Sequence, residues 1–195
     1  MDTQNPINSE PGILNLSHAQ VFVYMLLAVV TILFLFLTNA YVFRMNFEDW
    51  QPLPVPSLLW VNTCSLVVAS IGMGWATRGV NNNNQASLKT GLLIGGIFAL
   101  FFLIGQFWAW QQLIAYGYLL AKNPANTFFY LITALHGLHI LCGVVAWAVI
   151  TKKSWKSSDA GPSSSQVGLL ALFALDLGND VWLVFIHITK ELIHV

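Results

Sequence analysis

Residues 130–143 read YLITALHGLHILCG and are the most informative stretch of the chain. It places His136 and His139 three residues apart in the middle of a long apolar run. A run of this length predicts a membrane-spanning helix, and the spacing puts both imidazoles on one face of that helix. An ionisable side chain inside a membrane is costly. The pair therefore marks either a contact with something polar, such as a cofactor or a lipid head group, or a junction with a neighbouring helix.

The composition of the whole chain indicates an integral membrane protein. Of its 195 residues, 56% are hydrophobic and 8% are charged, and the mean hydropathy is +0.67. Soluble domains carry about 25% charged residues. The formal net charge is zero, which gives no indication of nucleic-acid binding. Cys64 and Cys142 belong to no CxxC or metal-ligand cluster, and we expect them to be buried small hydrophobes.

Apolar segments of about 20 residues, long enough to cross a bilayer, recur along the chain. Backbone groups inside the hydrocarbon must pair within their own segment, so we expect an all-α bundle in a single membrane domain. The polar tail 1–19 has no Lys or Arg and does not resemble a cleaved signal peptide. The connector 79–90 contains four consecutive asparagines and is predicted to be a solvated loop. The five predicted spans are 20–43, 57–77, 91–121, 126–151 and 167–189.

The basic residues of the connectors predict the orientation in the membrane. The connectors after the second and fourth spans carry Arg78, Lys89, Lys152, Lys153 and Lys156. The opposite side carries Arg44, Lys122 and Lys190. This bias favours a cytoplasmic N-terminus and a C-terminus outside.

Polar residues inside the second and third spans are candidates for contacts between helices. Gln106 is the deepest of them, and we expect it to hydrogen-bond to another helix, with a lipid or quinone contact as the alternative. Asn62 opens the second span, and Trp110 follows Gln106 by four residues. Further along the second span come small residues that permit close helix packing, namely Ala69, Ser70, Gly72 and Gly74.

Haem ligation by the histidine pair is disfavoured by the depth of the other histidines. Two axial ligands would have to come from opposite sides of the porphyrin, and only His18, His187 and His194 are left to supply the second. His187 lies roughly 12–15 Å from the centre of its span at 1.5 Å per residue, whereas the pair lies near mid-membrane. We therefore expect packing or lipid-facing roles for His136 and His139.

The fifth span carries an unusual acidic face formed by Asp176, Asn179 and Asp180. Carboxylates in a membrane are costly unless they are paired, protonated or in contact with water. Asp180 lies about as deep as His139, counted from the cytoplasmic side. The matching depth predicts a polar contact between this face and the face of His136 and His139.

Several motifs stand in an order that identifies a resemblance. The most specific is FFYLITALHGLHILCG at 128–143. The others are NAYVFR at 39–44, LPVPSLLWVNTCSLVVAS at 53–70, Gln106 followed by Trp110, and DVWLVF at 180–185. In this order they resemble subunit III of the haem–copper oxidases, in its short five-helix bacterial form.

Two departures from the pattern of that family affect what can be carried over. The family usually has a glutamate deep in the first shared span, at a position near Val30 here, and the first span of this chain has no carboxylate. In the final motif, Asp176 stands where the family has a histidine, and Asn179 stands where it has an aspartate. A role for the first-span glutamate therefore does not transfer to this chain.

The resemblance implies a non-catalytic subunit of a proton-translocating terminal oxidase in a bacterial plasma membrane. Its assembly would reduce oxygen to water with electrons from cytochrome c or quinol, and the haems and copper would lie in partner subunits. The chain would dock mainly on subunit I, with subunit II and in some cases a respiratory supercomplex as further partners. Its first or second span would face spans three to five across a cleft that holds phospholipids. The residues expected to line this cleft or its polar seam are Asn62, Gln106, Trp110, His136 and His139.

Two other functions remain open at the level of sequence. An accessory subunit of a nitric oxide reductase would have the same fold and a different partner. A stand-alone transporter would predict internal repeats or helices broken at mid-membrane, and the sequence has no convincing repeat.

Overall fold

The chain forms a bundle of long helices, which confirms the predicted fold class. The computed structural model describes residues 18–51, 57–156, 162–172 and 174. A fifth helix, α5, begins at residue 164 and is described as far as 174, except for 173. The first four helices are long and apolar enough to cross a membrane. They are α1 (His18–Arg44), α2 (Leu58–Asn81), α3 (Gln85–Ala115) and α4 (Pro124–Lys156).

The connector between α2 and α3 is much shorter than the predicted segment 79–90. It consists of residues 82–84, because the asparagine run forms a tight turn rather than a long loop. Asn83 has a φ of 53°, in the left-handed region that asparagine tolerates better than most residues. Asn84 caps α3, and its side chain accepts a hydrogen bond of 3.0 Å from the backbone N–H of Ser87.

The third helix is shifted along the chain relative to the predicted span 91–121. The cap at Asn84 starts it six residues earlier, and it ends at Ala115, where Gly117 adopts a φ of 83°. Glycine commonly provides the left-handed residue that follows a helix. The fourth helix extends beyond the predicted 126–151 at both ends, and its last turn carries the basic residues Lys153 and Lys156.

Helices α2 and α3 approach each other backbone to backbone. Gly91 and Gly95 form a GxxxG pattern on α3. Gly91 faces Gly72 and Ala76 of α2, and Gly95 faces the side chain of Met73. A Cβ added at Gly72 would lie 2.7 Å from the backbone N of Gly95. Small residues at such positions let two helices pack closely in a membrane, where the hydrophobic effect does not drive helices together.

Helix α5 closes the bundle on the side where α2 and α3 meet. Its residues Val167, Leu170 and Ala171 belong to a buried cluster with residues of α2 and α3, and Trp147 of α4 packs against that cluster. The hydroxyl of Ser70 donates a hydrogen bond of 3.1 Å to the backbone carbonyl of Ala174.

Helix α1 packs on α4. Phe34 and Tyr41 of α1 form a buried cluster with Ile132 of α4, and Val30 packs against it. At the position near Val30, where the family usually has a glutamate, this chain therefore makes an apolar contact. Because α2 lies directly on α3, the structure also excludes one predicted arrangement, in which the second span faces the third across a cleft.

Three small residues of the spans face a different environment from the predicted one. Cys64 and Cys142 are exposed rather than buried, because each lies on the face of its helix that points away from the bundle. Gly74 takes no part in close packing, since a Cβ added there would meet nothing within 4 Å. Hydrophobicity predicts that such residues lie in a span but not which way they face.

An ion pair fixes the outer end of α1 to the connector that follows it. The two guanidinium nitrogens of Arg44 hydrogen-bond both carboxylate oxygens of Asp49, and the Nη1–Oδ1 distance is 2.8 Å. This hydrogen bonding lowers the pKa of Asp49 from its ordinary value of 3.8. Desolvation of the carboxyl opposes the shift, and the charge of Arg44 adds to it.

We predict that Gly91→Ala destabilises the bundle and that Gly74→Ala does not. The new methyl group at position 91 would clash with the backbone of Ala76 and approach the carbonyl of Gly72 to 2.7 Å, whereas position 74 is open. Overpacking of this kind costs about 1–3 kcal/mol. Thermal unfolding of the two purified variants in detergent tests this, and equal loss of stability in both would contradict the close approach of α2 and α3.

We predict that the contact between Arg44 and Asp49 is lost only in acid. Because the pKa of Asp49 is lowered in the folded state, the contact contributes fully above the ordinary value of 3.8 and disappears as the pH falls through the lowered pKa. A carboxyl-carbon NMR titration of Asp49 should show this pKa rising toward 3.8 in Arg44→Gln. The interpretation is wrong if the two titration curves coincide.

Candidate functional site

A hydrogen bond between two buried side-chain amides joins α2 to α3. The side-chain amide of Asn62 donates a hydrogen bond of 3.4 Å to the side-chain carbonyl of Gln106. Asn62 is 1% exposed and Gln106 is 5% exposed, so neither amide reaches lipid or water. Gln106 thus lies against a neighbouring helix, in the arrangement that we expect for a buried amide in a membrane.

The backbone of α3 makes room for this pair. The carboxamide of Asn62 lies directly on Gly105, where an added Cβ would clash with Oδ1 of Asn62. The other halves of the two amides, Oδ1 of Asn62 and Nε2 of Gln106, have no hydrogen-bond partner among the described residues. Buried polar groups of this kind are usually satisfied by a further partner, so the pair retains capacity for one more polar contact.

His136 lies between two helices rather than facing lipid. Its ring makes edge-on contacts with Phe34 of α1, at 5.8 Å between ring centroids, and with Phe102 of α3, at 5.6 Å. It is 5% exposed, and its Nε2 is buried without a hydrogen-bond partner in the described part of the chain. The imidazole therefore packs as a ring at the place where α1, α3 and α4 meet.

His139 is also buried. It is 7% exposed and lies one helical turn further along α4. Both rings are therefore buried inside the bundle. In the isolated chain, neither histidine faces lipid. The described residues contain no group of three or more His, Cys, Asp and Glu side chains that could hold a metal ion.

Trp110 joins the C-terminal part of α3 to the N-terminal part of α4. Its indole N–H donates a hydrogen bond of 3.1 Å to the hydroxyl of Thr133, and that hydroxyl donates one of 2.7 Å to the carbonyl of Phe129. Tyr130 lies beside the indole at 6.4 Å between ring centroids. The hydroxyl of Thr133 thus accepts one hydrogen bond and donates another, and it links α3 to α4.

Two of the predicted residues, Gln106 and Trp110, lie on one stripe of α3 together with Phe102, which was not predicted. Phe102, Gln106 and Trp110 are spaced by four residues and therefore lie on the same face of the helix. Along this face they contact His136, Asn62 and Thr133 in turn. We call this row of contacts the polar seam. Its role in function remains a prediction.

Trp147 makes a further hydrogen bond between α4 and α3, which the sequence did not predict. Its indole N–H donates a hydrogen bond of 2.7 Å to the backbone carbonyl of Leu92. The ring lies on Gly96, where a Cβ would overlap it. A tryptophan toward one end of a span is commonly an interfacial anchor. Only Gly96, which lies on a different helix, distinguishes the packing role of Trp147 from that one.

The predicted acidic face on the fifth span lies outside the described residues. Asp176, Asn179 and Asp180 all follow residue 174. Their pairing with His136 and His139 therefore stays a prediction.

Comparison with known proteins identifies relatives over most of the chain. The family model described as "Cytochrome c oxidase subunit III" matches residues 21–188. A probable cytochrome c oxidase subunit 3 of Mycobacterium bovis is 22% identical over 69% of this chain and 68% of its own length. The corresponding protein of Mycobacterium leprae is 26% identical over 69% of this chain and 62% of its own length. The cytochrome c oxidase subunit 3 of a Synechocystis species is 30% identical over 66% of this chain and 55% of its own length.

We predict that Asn62 and Gln106 are energetically coupled. Removal of either partner leaves the other amide buried, so Asn62→Ala and Gln106→Ala should each destabilise the bundle, and the double variant should lose less than the sum. The coupling energy of such pairs in membranes averages about 0.6 kcal/mol and reaches about 1.7 kcal/mol. A double-mutant cycle on the unfolding free energy measures it, and strict additivity would show that the contact has no energetic role.

Proposed function

The chain belongs to the cytochrome c oxidase subunit III family, and on that basis we propose that it is a non-catalytic subunit of a haem–copper terminal oxidase. It lies in the membrane as a multi-pass protein and associates with other oxidase subunits. The observation that carries the proposal is the family match over residues 21–188, which includes the histidine motif and its neighbours.

The surface of the bundle supports a role as a docked subunit. Large apolar side chains are exposed on the outer faces of α1 and α3, and both lipid and a partner can cover such faces. Examples are Phe22, Met25 and Phe36 on α1, with Phe107 and Trp108 on α3, all at least 61% exposed. We propose that subunit I covers part of this surface, with subunit II close by, and that phospholipids cover the rest.

The interior of the bundle supports a structural rather than a redox role for this chain. The polar contacts of the seam are made by two amides, a hydroxyl, an indole and one imidazole, and its described contacts join one helix to another. Haems and copper belong to the partner subunits in this proposal. The chain would stabilise subunit I, bind phospholipids, and support proton uptake and oxygen access by that subunit.

The position of the chain in the cell follows from the same proposal. We place it in a bacterial plasma membrane with the N-terminus in the cytoplasm and the C-terminus outside. In this orientation the turn at residues 82–84 and the basic end of α4 face the cytoplasm. The excess of basic residues at that side supports the assignment.

Purification of the tagged chain from its native membrane in a mild detergent tests the proposal. We expect a stoichiometric complex that contains haem and copper and that reduces oxygen. His136→Phe should keep the ring contacts with Phe34 and Phe102, so we expect it to leave the haem spectrum of the complex unchanged.

Other outcomes of the same purification point to other functions. Association with a copper-free haem and non-haem iron core that reduces nitric oxide would favour the nitric oxide reductase alternative. A chain that purifies alone and transports a solute in vesicles would overturn the proposal. Loss of the haem spectrum in His136→Phe at normal complex yield would assign the histidine a cofactor role.

A further inference from the structure

A groove runs along the outer face of α2 toward the turn that joins it to α3. Its volume is about 570 Å³, and it is separate from the polar seam. Four of its lining residues are Ile71, Gly74, Trp75 and Arg78, which share one face of α2. Gly79, the turn residues Asn82 and Asn84, and Ser87 in the first turn of α3 complete it.

The polarity of the groove changes along its length. Its deeper part consists of Ile71, Gly74 and Trp75, and its outer part carries the guanidinium of Arg78 and the polar side chains of the turn. Seven residues separate Ile71 from Arg78, which is about 10 Å along a helix. A phospholipid has the same order of groups along the membrane normal, with a phosphate at the interface and an acyl chain below it.

Arg78 has no partner of its own in the described part of the chain. Among the described residues, no carboxylate pairs with Arg78 and no hydrogen bond engages its guanidinium, in contrast to Arg44 at the other end of the bundle. The described acidic residues, Glu48 and Asp49, both lie in the connector after α1. At the end of the bundle that contains Arg78, the described residues therefore include basic side chains but no carboxylate.

Two further features of the groove suit an anionic lipid. Trp75 is 48% exposed beside Arg78, at a level where indoles commonly anchor in the head-group region. The first turn of α3 forms one rim, and the positive end of its helix dipole adds to the field of Arg78. Arginine binds phosphate oxygens in a bidentate manner, and basic pockets at this level of a membrane protein bind anionic head groups.

We propose that this groove is a binding site for an anionic phospholipid from the leaflet on the side of the α2–α3 turn. The phosphodiester contacts Arg78, and the first part of an acyl chain lies along Gly74 and Ile71. The site requires only that the chain lies in a membrane. It is therefore independent of the proposed oxidase role, and either proposal can fail while the other holds.

The open space at Gly74 permits a direct test. A larger side chain there would fill the groove without a clash, since an added Cβ meets nothing within 4 Å. We compare Gly74→Leu, Arg78→Gln and Arg78→Lys with Lys152→Gln, which removes one positive charge from an exposed residue at the same end of the bundle. Thermal unfolding in detergent establishes that each full-length variant is folded.

Native mass spectrometry of the full chain, titrated with phosphatidylglycerol or phosphatidylcholine, measures the affinity. We expect the wild-type chain to retain phosphatidylglycerol preferentially. Arg78→Gln and Gly74→Leu should each weaken that binding about fivefold or more, as expected for loss of one basic contact near a membrane surface. Arg78→Lys should keep part of the affinity, and Lys152→Gln should leave it unchanged.

Three results would overturn the proposal. The first is equal retention of the two lipids by the wild-type chain. The second is an equal loss of phosphatidylglycerol in Lys152→Gln and Arg78→Gln, which would indicate general surface charge. The third is unchanged lipid binding in a folded Gly74→Leu whose yield of co-purifying subunits falls, because the groove would then be a protein contact.

Discussion

The close approach of α2 and α3 is the constraint on which the rest of the bundle depends. Because Gly72, Gly91 and Gly95 bring the two backbones together, the short amide of Asn62 reaches Gln106 across the interface. The same approach leaves the other sides of α3 free for α4 and α5. Helix α3 is therefore the central element of the bundle, and its glycines determine how near each neighbour can come.

Helix α4 packs on α3 by a different means. Here large rings fit against small residues or other rings: Trp147 lies on Gly96, and His136 contacts Phe102. Each ring nitrogen that donates, in Trp147 and Trp110, reaches a carbonyl or hydroxyl on the other helix. Lipid offers these groups no alternative partner, so a few directed hydrogen bonds fix the rotation of α4 relative to α3.

The sequence predicted those features that depend on hydrophobicity and residue type. The spans, the helical fold and the need of Gln106 for a partner helix all follow from the cost of polar groups in lipid. The sequence did not predict which face of each helix points inward, because spans that are apolar all round carry little directional signal. Cys64, Gly74 and Trp147 were misjudged or missed for this reason. The turn at Asn83 was misjudged because four like residues give no indication of which one takes a positive φ.

The two ends of the bundle use arginine differently, and this difference bears on what surrounds the chain. At one end Asp49 satisfies Arg44, so that end needs no external counter-charge. At the other end the described residues give Arg78 no carboxylate, although its groove is open beside it. A guanidinium held at the level of the head groups is more favourable near a phosphate than in water alone. Under the proposal above, Arg78, which no described carboxylate pairs, is the group that holds an anionic lipid against α2.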